Sequence, residues 1–307
     1  MMATTAATKQ PRPLKGTRIL SLALNLPGPA ALMRCHQMGA KCTKIEPLPH
    51  PTAPAGTPGD PMGLYNRGAY QQMHDGVKVV NINLKTPAGQ KFLHQELRKA
   101  QIVLTSFRPS ALKHLGLEWK SLHKQYLEIS VISIVGAPGS RAEEPGHDLT
   151  YLAENDLISG LNLPRTLYAD MAGALMVSEA VLQARLLQMR KGSGTRIEIA
   201  LSKAAEYLAL PHQWDLTRPG SALGGGHAGY KVYPCKDGRV ALAALEPHFA
   251  ADLAKLVHLP QANIMVMFAP DTHKTIQAYM AGKTRAELEV IAKEHDLPLC
   301  TLPAQAE

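Results

Sequence analysis

Short apolar segments alternate with helical patterns along the first two thirds of the chain, and this alternation restricts the fold more than any other feature. TRILSLAL, residues 17–24, has the pattern of a buried strand and is followed by a Pro-Gly-Pro turn at 27–29. A helical run at 30–38 and a second strand pattern at 41–46 come next. Strand, turn, helix and strand in this order are typical of a parallel α/β sheet.

The same alternation continues to residue 210. Further strands are predicted at 78–84, 102–105, 129–135 and 196–201, and helices at 87–100, 170–189 and 203–210. The helix at 170–189 is the longest, with apolar residues every three or four positions.

The composition changes after Trp214. A Gly-rich stretch at 217–229 leads into two short strand patterns, 230–234 and 239–244, joined by an Asp-Gly turn as in a β-hairpin. Helical segments are predicted at 247–257 and 284–295. The resulting division is a disordered leader at 1–15, a large α/β domain at 16–216 and a small α+β domain at 217–307.

Charge and cysteine content narrow the classes of ligand and compartment. The chain has 33 basic and 25 acidic residues, a net charge of +8 that favours anionic ligands such as nucleotide phosphates. The sequence lacks the long Lys/Arg block that would indicate binding to nucleic acid. It also lacks the apolar run of about 18 residues that would indicate a membrane span. The four cysteines form no C-x-x-C pair, so no metal is expected and a reducing, cytoplasmic compartment is favoured.

Two candidate catalytic groups lie near predicted helix starts. Asp170 stands where an apolar stretch gives way to the long helix, so it is either a helix cap or a nucleophile or base at the mouth of the α/β domain. His147 follows a Pro-Gly turn and is either a surface imidazole or a base that titrates near neutral pH. Asp148 beside it could simply cap the next helix.

Two further candidates lie in the smaller domain. Glu246 precedes a proline, which favours an extended backbone, and is either a helix-start acid or a site carboxylate. Gly224, Gly225 and Gly226 either line a ligand or form a flexible joint between the domains.

Several stretches resemble the family III CoA-transferases, which include formyl-CoA transferase, carnitine CoA-transferase and 2-methylacyl-CoA racemase. LKGTRILSLALNLPGPAALMRCHQMGAKCTKIEP is similar to the family's first strand, helix and second strand. GHDLTYLA and LYADMAGALM resemble its two catalytic segments, and GGGHAGYKVYPCKDGRVALAALEPHF its entry to the small domain. The order and spacing of these stretches carry the resemblance, which is closer to the racemases.

The resemblance implies a Rossmann-like large domain with a parallel sheet, a small α+β domain and coenzyme A bound as a substrate thioester. It assigns catalysis to Asp170, His147 and Glu246. The residues that it places near CoA are Arg108, Lys78, Lys85, Gly224, Gly225 and Gly226. The family's usual basic run is HDGVK here, which keeps only Lys78 as a firm cation.

The resemblance also implies an interlocked homodimer, although the segment that returns to the large domain looks short. Three functions follow as hypotheses. The first is racemase-like epimerisation of a branched acyl-CoA, with Asp170 and His147 as base and acid and backbone N–H groups near the Asp170 helix start as enolate donors. The second is CoA transfer through an aspartyl-CoA intermediate, and the third is CoA binding without catalysis.

Overall fold

The computed structural model describes residues 11–304, and the chain divides into two compact units between Ala209 and Leu210. This division lies slightly before the expected boundary at 216/217. The predicted leader at 1–15 falls largely outside the described residues. Its end does not: Leu14 is buried and its amide donates to the carbonyl of Met38 at 3.0 Å, so it is part of the folded unit rather than a disordered leader.

The first unit contains a sheet of six described strands, all parallel, in the order β3-β2-β1-β4-β5-β6. The strands are β1 Arg18–Ser21, β2 Lys41–Glu46, β3 Lys78–Asn81, β4 Ile102–Thr105, β5 Ser130–Val135 and β6 Arg196–Ala200. The chain progresses outward from β1 to β3 and then returns to the other side of β1. Ligands of such sheets bind at the carboxyl ends of the strands, where the order reverses.

Helices cover both faces of this sheet. They are α1 Pro27–Gln37, α2 Met62–Tyr65, α3 Arg67–Met73, α4 Pro87–Leu97, α5 Pro109–His114, α6 Trp119–Gln125, α7 Asp148–Glu154, α8 Tyr168–Lys191 and α9 Leu201–Leu208. One apolar core lies under α1, α7 and α8, and a second lies under α4, α5 and α6. Burial of β4 and β5 on both faces explains their nearly continuous apolar sequences.

Local sequence signals account for the two helices nearest the site. Proline occupies the first turn of α1, and Gly28 lets this turn pack on the end of β1, since a Cβ there would lie 2.4 Å from the Cβ of Ala23. Helix α8 ends at Gly192, whose φ of 69° is the left-handed conformation typical of a helix C-terminus.

The second unit has an antiparallel sheet in the order β7-β8-β9. Its elements are α10 Leu210–Gln213, β7 Tyr230–Cys235, β8 Gly238–Ala243, α11 Pro247–Leu256, α12 Ile264–Met267, α13 Pro270–Ala281, α14 Arg285–Glu294 and β9 Leu299–Pro303. The helices pack on the sheet around a core of their own. A parallel α/β unit followed by a smaller α+β unit confirms the expected fold class. No helix among residues 11–304 has the length and apolar character needed to cross a bilayer.

Candidate active site

Two adjoining cavities lie at the carboxyl edge of the parallel sheet, one at the point where the strand order reverses and one beside it. The first has a volume of about 260 Å³ and follows the ends of β1, β4 and β5. The second, about 820 Å³, follows the ends of β2 and β3 and extends to α5. Leu24 and Phe107 line both cavities, so the two adjoin and are described together as one candidate site in the first unit.

Asp170 lines the first cavity from the first turn of α8. The carboxyl group is half-buried and has no cationic partner among the described residues. Burial and, second to it, the negative charge of Asp148 together raise the pKa of Asp170 from 3.8 to about 7. A carboxyl group that titrates near neutral pH can accept a proton or act as a nucleophile at working pH.

Asp148 supplies the cap that α8 lacks locally. The residue before α8, Leu167, makes no side-chain cap, and Asp148 Oδ1 accepts a hydrogen bond of 3.0 Å from the backbone N–H of Asp170. Asp148 is buried in the first turn of α7, so the capping group belongs to a different helix. Asp148 thus caps the start of α8 and also raises the pKa of Asp170.

His147 and Arg108 line the same cavity as Asp170. His147 is exposed and precedes α7, where its backbone N–H donates to the Thr150 hydroxyl at 3.1 Å. Arg108 is exposed and precedes α5. The cavity therefore offers a carboxyl group, an imidazole and a guanidinium to one ligand.

The second cavity is lined mostly by apolar side chains. Its basic groups are Lys85 and His114, both of which are exposed. A volume of about 820 Å³ is in the range of small-molecule and cofactor sites. Lys78 lies at the opposite, amino-terminal end of β3 and lines neither cavity. Of the two expected lysines, only Lys85 therefore faces this candidate site.

A buried ionic cluster, formed by Lys44, Glu46, Asp60, Tyr70 and His74, supports the wall of the second cavity. The Lys44 ammonium lies 2.9 Å from Glu46 Oε1, contacts Asp60 and lies 3.0 Å from His74 Nε2. Asp60 Oδ1 accepts from the backbone N–H of Asn25 at 3.2 Å. Because Glu46 lines the second cavity and Asn25 the first, this cluster connects the walls of both.

Glu246 and the glycine run belong to the second unit. Glu246 precedes α11, is exposed and makes no side-chain cap; its ψ of 145° is the extended backbone expected before proline.

Gly224, Gly225 and Gly226 form a tight turn after Ser221. A Cβ on the first would lie 1.8 Å from the Arg218 carbonyl oxygen, and Gly225 has a φ of +87°. Local geometry is thus sufficient to require glycine at these two positions.

The family model described as CoA-transferase family III matches residues 14–306. The chain belongs to CoA-transferase family III. This confirms the resemblance found in the sequence, and relatives in the family are named as enzymes that act on CoA thioesters.

The relatives of this family III chain include both kinds of enzyme. It is 25% identical over 296 residues to alpha-methylacyl-CoA racemase of Homo sapiens, covering 89% of this chain and 73% of the racemase. It is also 25% identical over 312 residues to (R)-2-hydroxy-4-methylpentanoate CoA-transferase of Clostridioides difficile, covering 93% and 78%.

Solved structures agree in fold. A hypothetical protein of Mycobacterium tuberculosis superposes with a TM-score of 0.78 at 22% identity, covering 94% of this chain and 84% of that one. A CAIB/BAIF family protein of Brucella suis gives a TM-score of 0.74 at 19% identity.

Some groups in this family III site could not be assigned from local sequence. Asp148 was expected only as a possible cap of its own helix, and the buried ionic cluster was not foreseen at all. Alternation of Lys44 and Glu46 along a strand next to a proline-rich loop was the only available signal.

Proposed function

We propose that this chain converts acyl-CoA thioesters by chemistry at or beside the thioester carbonyl, with Asp170 as the reacting carboxylate. The observation that carries the proposal is the placement of Asp170: half-buried, with its pKa raised to about 7 by burial and by Asp148, in a cavity that shares two lining residues with the second, larger cavity. The second cavity would hold the CoA portion, with Lys85 and Arg108 near its phosphates.

Racemase-like epimerisation at the α-carbon of a branched acyl-CoA is the first candidate. Two groups are needed, one to remove the α-proton and one to deliver a proton to the opposite face. Asp170 and His147 line one cavity and would exchange these roles with the direction of reaction. Glu246 is included as a third catalytic residue, a role carried over from the resemblance to the racemases.

CoA transfer between carboxylic acids is the second candidate, supported by the transferases among the relatives. Ionised Asp170 would attack the thioester carbonyl, and release of CoA thiolate would leave a mixed anhydride. Attack by that thiolate would release the first acid and leave an aspartyl-CoA thioester, which then passes CoA to the second acid. For the glycine run at 224–226, a role in CoA binding is carried over from the resemblance to the family.

Deuterium exchange separates the two candidates. The purified chain is incubated in deuterated water with a panel of 2-methylacyl-CoA thioesters, with and without a carboxylic acid. Exchange at the α-carbon without the acid supports epimerisation, and a new acyl-CoA formed only with the acid supports transfer. Asp170→Asn should abolish either activity. His147→Gln should abolish exchange but leave transfer intact, since the transfer route does not use the imidazole.

Hydroxylamine trapping tests the covalent route. A hydroxamate on Asp170, identified by peptide mass, is expected only with transfer chemistry. Exchange without any hydroxamate would support epimerisation, whereas CoA binding with neither result, across the whole panel, would contradict both candidates.

A homodimer, interlocked as the resemblance implies, is also part of the proposal. Apolar side chains are strongly exposed on α8 and just before it, for example Leu161, Leu163 and Met189. Exposed apolar groups of this kind are typical of association surfaces. Light scattering after size exclusion should give twice the chain mass of 33.2 kDa. A single-chain mass at all concentrations would contradict it.

A further inference from the structure

Tyr151 presents, at the wall of the first cavity, a hydroxyl group that has no hydrogen-bond partner among residues 11–304. It lies on α7 with 5% of its surface exposed and lines the first cavity together with Asp170. Its phenol oxygen makes no hydrogen bond among the contacts found in residues 11–304, whereas the buried Tyr233 donates to a carbonyl at 2.7 Å. A phenol hydroxyl that makes no bond within the described part of the protein and lines the same cavity as Asp170 is free to donate to a bound ligand.

Two glycines make room for this hydroxyl group. A Cβ on Gly136, which follows β5, would lie 2.4 Å from the phenol oxygen, and a Cβ on Gly146 would lie 2.6 Å from it. Neither glycine has a positive φ, so backbone conformation does not require glycine at these positions. Both glycines line the first cavity. The space they leave is therefore filled by the phenol oxygen at the cavity wall.

The phenol stays neutral at working pH. Burial raises the pKa of Tyr151 above its ordinary value of 10, and the carboxylates of Asp170 and Glu154 raise it further. A neutral phenol is a hydrogen-bond donor. The backbone N–H of Asp170, another candidate donor at this end of the cavity, is already bonded to Asp148.

We propose that Tyr151 donates a hydrogen bond to the thioester oxygen of a bound acyl-CoA, stabilising the negative charge that develops there. The inference rests on the proposed function and applies to both candidate reactions. When a base removes the α-proton, the C–H electron pair forms the Cα=C bond and the carbonyl π pair moves to oxygen. When Asp170 attacks instead, its lone pair forms the C–O bond and the same π pair moves to oxygen. Tyr151 keeps its proton in either case.

The first test replaces Tyr151 by phenylalanine in the full chain. Loss of one donor to a developing oxyanion lowers kcat by about 10²–10³-fold, with a much smaller change in KM. The matched control is Tyr126→Phe, which removes a hydroxyl that pairs with His94 at 2.8 Å and lines neither cavity. A Tyr151→Phe enzyme with kcat within about threefold of the control would overturn the inference.

The second test keeps the hydroxyl and moves it. In Gly136→Ala the added methyl group would meet the phenol oxygen at 2.4 Å, so the ring must shift. The inference requires kcat to fall in this variant, and requires no further fall when Tyr151→Phe is added, because the hydroxyl is then already out of position. Independent, multiplied losses in the double variant would contradict a shared role.

The third test separates this inference from the proposed function, because it requires no turnover. The probe is a nitroalkyl thioether of CoA, whose nitronate form carries negative charge on oxygen as an enolate does. The reference ligand is propyl-CoA thioether, which lacks that oxygen. Calorimetry should show at least about tenfold weaker nitronate binding to Tyr151→Phe than to the unmodified chain, with equal thioether binding.

Each combination of results decides something. Equal loss of both ligands, or loss of neither, would overturn the role of Tyr151. The expected selective loss without turnover of any thioester would leave the hydrogen-bond donor standing and remove the proposed reaction. Failure of the unmodified chain to bind either ligand would overturn both proposals.

Discussion

Two pairs of carboxyl groups lie at the carboxyl edge of the same sheet, and their surroundings are opposite. Glu46 and Asp60 are fully buried around the Lys44 ammonium and receive further hydrogen bonds from Tyr70 and from backbone N–H groups. Within residues 11–304, Asp148 and Asp170 have no cation between them, and they are joined by a hydrogen bond from the backbone N–H of Asp170 to Asp148.

The difference is visible in proton affinity. Burial alone would raise the pKa of Glu46, but the charge and hydrogen bond of Lys44, with the Tyr70 hydroxyl, hold it below its ordinary value. Burial and the negative charge of Asp148 instead raise the pKa of Asp170 to about 7. The pair around Lys44 supports the walls of the cavities, and the pair without a cation contains the carboxyl group that we propose to react.

The largest expected effect follows from removing the cation. Lys44→Met leaves two buried carboxylates unpaired, which costs about 3–5 kcal/mol of unfolding free energy at pH 7. The matched control is Lys99→Met, which removes the ammonium of an exposed pair with Glu96 whose lysine side chain is 54% exposed. That change should cost less than about 1 kcal/mol. Equal losses of unfolding free energy in urea titrations would show that Lys44 does not neutralise the cluster.

A smaller effect is expected at Asp170, with the opposite sign. Its pKa in the folded state is raised, so the protonated form stabilises the fold fully below about pH 4, and this contribution is lost as pH rises through 7. Asp170→Asn imitates the protonated form at every pH. We expect the variant to gain on the order of 3 kcal/mol over the original chain at pH 8, and little at pH 4.

Urea titrations at pH 4, 6 and 8 measure this gain in unfolding free energy. The same variant should have lost its activity. A stabilised but inactive variant is the behaviour expected where function requires an unfavourable charge. A constant difference across the three pH values would show that the Asp170 carboxyl group titrates at its ordinary pKa in the folded chain.

Sequence patterns predicted the elements that form each wall better than the interactions between them. The predicted strands 41–46 and 102–105 match β2 and β4, because a buried parallel strand is a local apolar run. The predicted strand at 17–24 is longer than β1, which ends at Ser21. The backbone leaves the sheet there to reach Asn25, whose φ of 65° is left-handed.

Long-range pairing explains the remaining differences. Helix α8 was expected to begin at Asp170 but begins at Tyr168, because its cap comes from Asp148, 22 positions away in sequence. The burial of Lys44 likewise depends on Asp60 and His74, which lie 16 and 30 positions away. A local pattern cannot show a partner that only the folded chain brings close.

The smallest expected effect concerns the pair formed by Asp148 and Asp170. Asp148→Asn keeps an oxygen that can accept from the backbone N–H of Asp170, so α8 remains capped, but it removes the neighbouring negative charge. The pKa of Asp170 should fall, because charge repulsion is the second cause of its elevation, yet it should stay above 3.8, because burial is the first. The acidic limb of the pH dependence of kcat/KM should therefore shift to lower pH.

Asp148→Ala should add a loss of stability of about 1 kcal/mol, since the cap itself is then removed. An unshifted limb with Asn would mean that Asp148 acts on the helix alone, and that burial by itself sets the proton affinity of Asp170.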